Sequence, residues 1–233
     1  MKSRFKFILG YGVLIFLGIC EGSIFIKKPS FFNIFPFIFI FLMFYILLWV
    51  ETYNMLVNEL KVEKYISRLK RIFKFLLTKE SKNIILINLF TAYLFLNSEK
   101  DFLSYIDIIE ITKKTPKKVK YVYYYNLAAY KLSINEKGEA RKIFDENIKK
   151  EESLLGILLN YENNPEQKIV KLEKLLLKQK VELSKIEVKF YLGEVYEQIG
   201  NLKKARRFYN EIAEKKSEIY FIKVAKEKVL ELS

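Results

Sequence analysis

The chain has 233 residues, 51% of them hydrophobic, with 41 Lys and Arg against 27 Asp and Glu, no histidine and one cysteine. The missing histidine excludes His-dependent acid–base catalysis, Ser-His and Cys-His nucleophile pairs and His-containing metal sites. The lone Cys20 excludes an intramolecular disulfide and a cysteine zinc cluster, and the length allows about one soluble domain beside any membrane segment.

The first 50 residues read as two apolar segments. Residues 7–26 begin with the run FILGYGVLIFLGIC and include Glu21. The basic start (Lys2, Arg4, Lys6) and the short apolar stretch also suit a cleaved signal. Around Cys20 there is a faint lipoprotein-like site, although Ile19 stands where that pattern needs a small residue. Residues 31–50, FFNIFPFIFIFLMFYILLWV, are 20 residues without a formal charge. At about 1.5 Å per residue they span a hydrocarbon core of roughly 30 Å. Tyr45 and Trp49 sit toward one end, as interfacial aromatics do. Two such segments in succession predict a transmembrane hairpin, with Gly18 and Gly22 as a weak close-approach signal. Basic residues on both flanks, against a short loop holding Lys27 and Lys28, place both termini in the cytoplasm by the positive-inside rule.

Residues 51–80 predict a juxtamembrane basic helix running to about residue 77. Val62, Ile66, Leu69, Phe73 and Leu76 form one stripe at helical spacing. Lys61, Lys64, Arg68, Lys70, Arg71 and Lys74 lie between them, so the segment 61–74 is placed to meet anionic lipid headgroups or simply solvent. Beyond residue 50 the excess is +10, and all but six of the 41 bases are lysine. Lysine is a solvated point charge, whereas planar phosphate reading favours arginine. Membrane lipid is therefore preferred to nucleic acid as a partner.

Residues 81–233 alternate apolar helices with short breaks and show no sustained strand alternation. Four helix pairs are predicted: 83–97 with 98–114, 118–134 with 136–150, 151–162 with 165–179, and 184–199 with 202–215. A last helix, 218–232, would cover the open end. Ser98 with Asp101 gives a capping-box-like start, and Asn164-Pro165-Glu166-Gln167 supplies an N-cap, an N1 proline and an N3 glutamine.

The fourth pair carries Leu192, Gly193, Tyr196, Gly200, Ala205 and Tyr209 in a register that resembles the tetratricopeptide repeat (TPR) family. Small Gly193 and Ala205 permit close helix approach, and Gly200 permits a left-handed turn. The second pair keeps Tyr124, Leu127-Ala128, Ala140 and Phe144, with Asn135 in place of the turn glycine. The first keeps Leu89, Tyr93 and Asn97 but has Phe102 where alanine is usual, and the third is weakest. The resemblance implies that the concave face, lined by the first helix of each pair, binds a protein or peptide. Its repeat positions map to Thr91, Tyr125, Ala129, Phe190, Glu194 and Glu197. Aromatics and acids there disfavour the family's clamp for a C-terminal carboxylate.

Two other features have plain readings. The cluster Tyr121-Val-Tyr-Tyr-Tyr125 reads as packing before it reads as a base-stacking platform. The run from Lys113 to Lys120 reads as an exposed basic connector. No phosphate-cradling loop, metal-ligand spacing or nucleophile motif is present, and acid pairs such as Glu151-Glu152 read as surface charge. The expectation is an all-α chain: a transmembrane hairpin followed by a TPR-like α-solenoid. It acts as a non-enzymatic membrane adaptor without metal or cofactor, with a protein or peptide partner at the membrane. The alternatives are a basic tether to lipid or nucleic acid, and an extracytoplasmic repeat domain behind a cleaved signal.

Overall fold

A computed structural model describes residues 35–232. All eleven of its helices are α-helices, and no strand occurs among the described residues. The chain divides into two units between Glu51 and Thr52.

In the first unit the described residues belong to α1 (Phe35–Val57). Ile38, Phe39, Leu42, Ile46 and Val50 expose large apolar side chains along it, and Tyr45 meets Trp49 edge-on at 6.1 Å. Among the described residues no helix is long and apolar enough to cross a membrane. The segment 7–26, the loop lysines and the start of the segment 31–50 lie outside the described residues.

The second unit is a succession of packed helices beginning at Thr52. The continuous helix expected from 51 to 77 is instead two. The break follows Val57, where Glu59 N–H bonds back five residues to Asn54 O at 3.0 Å and Lys61 N–H bonds back six to Met55 O at 2.8 Å. Leu60 sits in the left-handed region, φ 56°, which costs a non-glycine residue roughly 1–2 kcal/mol. Its side chain is buried in return. Asn54 and Asn58 stabilise the turn by side-chain bonds to Glu59 and to each other, both 2.8 Å. α2 (Val62–Phe75) then lays Val62, Tyr65, Ile66 and Leu69 against the next helix.

Four pairs follow. They are α3 (Lys79–Leu96) with α4 (Glu99–Ile106), α5 (Lys117–Ser133) with α6 (Lys137–Asn147), α7 (Leu154–Asn160) with α8 (Pro165–Lys178), and α9 (Glu182–Gln198) with α10 (Leu202–Ala213). The first, second and fourth pairs share one turn. Asn97, Asn135 and Gly200 occupy the left-handed region at φ 54°, 64° and 76°. Each of these N–H groups bonds three residues back at 3.0–3.1 Å, and the next N–H bonds five back: Ser98 to Tyr93, Glu136 to Lys131, Asn201 to Tyr196. This is the Schellman pattern, which satisfies the last carbonyls of a helix. Five residues beyond each turn, Phe102, Ala140 and Ala205 are wholly or almost wholly buried. The repeat is thus visible in backbone geometry as well as in side chains.

The irregular stretches have local causes. α4 stops at Ile106, short of the expected residue 114. The following Ile108, Ile109, Ile111 and Thr112 are β-branched and poor helix formers. Glu110 finds backbone partners outside a helix, exchanging bonds with the Asn83 side chain at 2.6 and 3.1 Å. α7 has seven residues, and its Gly156 lies so close to the Lys150 and Glu151 carbonyls that a Cβ would approach to 2.6 Å. The caps on the second helices are mixed. Asn164 accepts from Gln167 N–H at 3.0 Å with Pro165 opening α8. Ser98 bonds the Asp101 carboxylate rather than its N–H.

The last helix, α11 (Tyr220–Glu231), packs on α9 and α10 as a terminal cover would. It also reaches α3 at the other end of the series. Ser217 Oγ donates to Leu60 O at 2.6 Å, across 157 residues. The helix pairs therefore curl until their two ends touch, rather than forming an open stack.

Candidate functional site

The signature residues of the second and fourth pairs pack between the helices of their pairs and line neither cavity described below. Leu192, Ala205 and Tyr209 have no exposed surface. A Cβ on Gly193 would lie 2.6 Å from Tyr209 Cε1, so only glycine permits that ring. Tyr196 stacks on Phe208 at 5.8 Å, donates to Glu173 at 2.9 Å and carries Lys204 Nζ 4.8 Å above its ring. In the second pair, Ala128, Ala140 and Phe144 form a core with Ile148, Leu155 and Leu159, and Tyr124 packs against it.

The inner face enclosed by α3, α5, α7, α9 and α11 contains two cavities. One of about 390 Å³ lies between α5, the α6–α7 connection, α8 and the start of α9. The other, about 180 Å³, runs between α3, α5, α7, α9 and α11. Tyr125, Asn126, Leu154 and Glu187 line both, so these side chains form the waist between two chambers. The walls are mainly apolar and aromatic, with Leu155, Leu158, Tyr191 and Phe221 in the smaller chamber. The larger falls within the range of roughly 300–1,000 Å³ typical of ligand pockets.

Three charged side chains line this interior: Lys150, Glu152 and Glu187. Glu187 is surrounded by protein yet opens on both chambers. Burial alone pushes its carboxyl up to about 7. Glu194, seven residues on, shares its helix face. Its side chain reaches water, while the surrounding protein pushes its carboxyl up to about 7, opposed by Lys168 and Lys228 and reinforced by Glu197. Burial lowers Lys168. Among the described residues neither Glu187 nor Glu194 has a hydrogen bond or an ion pair. Tyr191, between them on the same face, is raised by burial, as is Tyr125.

The six residues mapped by repeat position have different placements. Tyr125 and Ala129 line the cavities, whereas Glu194 is exposed and lines neither. Thr91 is held between helices, donating to Ile87 O at 2.8 Å and accepting from Asn126 Nδ2 at 2.6 Å. Phe190 is buried against Phe221 at 5.0 Å and Tyr209 at 6.0 Å. Glu197 is occupied by Tyr209 OH at 3.0 Å and Lys228 Nζ at 2.9 Å. Glu187, Tyr191, Asn126 and Phe221 were not among the mapped positions. Glu187 had a signal, an acid between the apolar Ile186 and Val188, at i, i+4, i+7 spacing with Tyr191 and Glu194. Phe221 had none, because α11 belongs to no pair.

The tyrosine cluster divides. Tyr123 is buried and meets Phe90 at 6.2 Å. Tyr121 and Tyr125 lie 5.9 Å apart and face the larger cavity. Lys113, Lys114, Lys117 and Lys118 are exposed. Among the described residues no group of three or more acidic, Cys or His side chains is placed to hold a metal ion.

The geometry thus defines an all-helical repeat domain curled around an acidic, aromatic-walled interior. Comparison with protein families, with curated proteins and with solved structures finds no match.

Proposed function

We propose that this chain is a membrane-anchored adaptor of TPR-like type that holds a segment of a partner protein in the interior of its helix pairs, at the cytoplasmic membrane surface. The observation that carries the reading is the pair of neighbouring chambers that share Glu187 and Tyr125 in their linings, formed mainly by first helices of the pairs. The uncharged run 31–50 and the exposed apolar side chains of α1 support the anchor, and the basic flanks support cytoplasmic termini. Anchoring confines the repeats near membrane partners and raises their effective concentration.

The test is site-specific photo-crosslinking in native membranes. A crosslinker at Ala129 or Glu194 should capture a discrete set of proteins, and one at the exposed Lys203 on the outer face should not. Equal capture from all three positions would overturn the reading. Activity of a reporter after Ser233 only outside the cytoplasm would overturn its orientation.

A second reading, attachment to anionic lipid, is favoured by the connection after α2. Phe75 and Leu77 are 82% and 94% exposed, beside exposed Lys70, Arg71 and Lys74. Large apolar side chains in a basic rim suit insertion at a headgroup boundary.

A further inference from the structure

We infer that the interior selects a cationic segment: a lysine or arginine flanked by apolar or aromatic residues, its stem lying along Tyr125 and Tyr191 and its head at Glu187. This inference rests on the adaptor reading and specifies its partner.

The first ground is charge. Glu187 lines both chambers and has neither a hydrogen bond nor an ion pair among the described residues. Its carboxylate is half-buried, so in the absence of a protein partner it depends on the little water the chambers admit, and charges in such places are usually paired. A ligand cation would supply the missing partner. Glu194 lies two turns away on the same helix face, where it can meet a second cation or the rim of the same segment. The other acids nearby are already engaged: Glu152 pairs with Lys178 at 3.1 Å and Glu197 with Lys228 at 2.9 Å. The cations near the interior are at its margins. Lys150 lines the mouth of the larger chamber, and Lys168 lies near Glu194 without pairing to it.

The second ground is shape. The chambers lie to either side of Glu187, which lines both, so a segment that reaches it has a cavity for its neighbours on each side. A small free cation would fill the waist and leave both chambers to water. An extended segment fills them with flanking side chains against Leu155, Leu158 and Phe221. Tyr125 at the waist and Tyr191 in the smaller chamber suit a cation and its aliphatic stem. An acidic segment would bring like charges together in a poorly solvated space, which excludes it.

The experiment pans full-length protein in lipid nanodiscs against a bead library of random decapeptides, with Glu187→Gln/Glu194→Gln in parallel. Selected peptides should be enriched in Lys or Arg next to apolar residues. The double variant should bind a selected peptide at least tenfold more weakly, as loss of a charge-assisted bond implies. Selection without cation enrichment, or unchanged binding by the double variant, overturns the inference and leaves the adaptor reading standing. A library from which nothing is selected overturns both. Glu194→Gln alone, at an exposed side chain, removes any dependence on the fold of the double variant. It should weaken the same peptide at least threefold, whereas Glu146→Gln on an exposed outer surface should not. Equal binding by Glu194→Gln and Glu146→Gln also overturns the inference.

Discussion

Gly193→Ala adds a single methyl group at the closest helix–helix contact in the fourth pair. The new Cβ would stand 2.6 Å from Tyr209 Cε1 and 2.9 Å from Cζ. Carbon atoms in contact prefer about 3.5–4.0 Å, so the ring must retreat by roughly 1 Å. It has little room. Tyr209 is wholly buried, its hydroxyl is bound to Glu197 at 3.0 Å, and Phe190 meets its ring edge-on at 6.0 Å. Overpacking of this kind costs about 1–3 kcal/mol. Alanine regains about 1 kcal/mol over glycine in a helix, so the raw change understates the clash. Gly138→Ala supplies the reference, because nothing lies within 4 Å of a Cβ there and only the helix gain applies. The difference between the two variants isolates the clash. At about 2–4 °C per kcal/mol for a domain of this size, Gly193→Ala should melt roughly 2–12 °C below Gly138→Ala by circular dichroism. Tyr209→Leu should restore part of the loss in a double-mutant cycle, with a coupling of at least ~0.5 kcal/mol. Equal melting of the two alanine variants would refute the proposed contact.

Three further outcomes are expected. Gly200→Asn should change stability by less than ~0.5 kcal/mol, since Asn97 and Asn135 hold the same conformation in the other pairs, whereas Gly200→Val should lose at least ~1 kcal/mol; equal melts for both would remove the left-handed turn from the explanation. Glu187 has a folded carboxyl pushed up from 4.5 to about 7, so the folded state holds a proton that the unfolded state releases. Its contribution is greatest below pH 4.5 and is lost as pH rises through 7. Glu187→Gln should therefore leave denaturant midpoints unchanged near pH 4.5 and raise stability at pH 8, by up to ~3 kcal/mol; parallel pH profiles for the two proteins would contradict this. Finally, an environment-sensitive dye on Leu77→Cys, with Cys20 replaced by serine, should blue-shift in anionic nanodiscs and less so in neutral ones. The same dye at Lys203 should shift in neither.

The sequence carried the pairs because their requirements are local. A left-handed C-terminal residue, a small residue five positions later and a buried aromatic beyond it can be read within about 20 residues. Asn135 and Gly200 with Ala140 and Ala205 made that pattern plain. Phe102 obscured it in the first pair, and the short α7 obscured it in the third. Long-range consequences were not legible. Leu60 adopts a left-handed turn because its side chain has a buried place to go, and that place depends on the finished fold. The concave positions changed for a similar reason. A face containing Phe190 would be free in an open stack. Here Phe221 comes from α11 to cover it, and the accessible face turns toward Glu187 and Tyr191.

The bond between Ser217 and Leu60 also has a mechanical consequence. In an open solenoid, tension applied at one terminus passes through every repeat before leaving at the other, so the weakest repeat yields first. Here the first and last turns of the domain are fastened together, as a bracelet is at its clasp. A pull between Thr52 and the C-terminal helix would load that fastening and the α3–α11 contact before it loaded the pairs. Opening the clasp would part the two ends of the series without unfolding a single repeat.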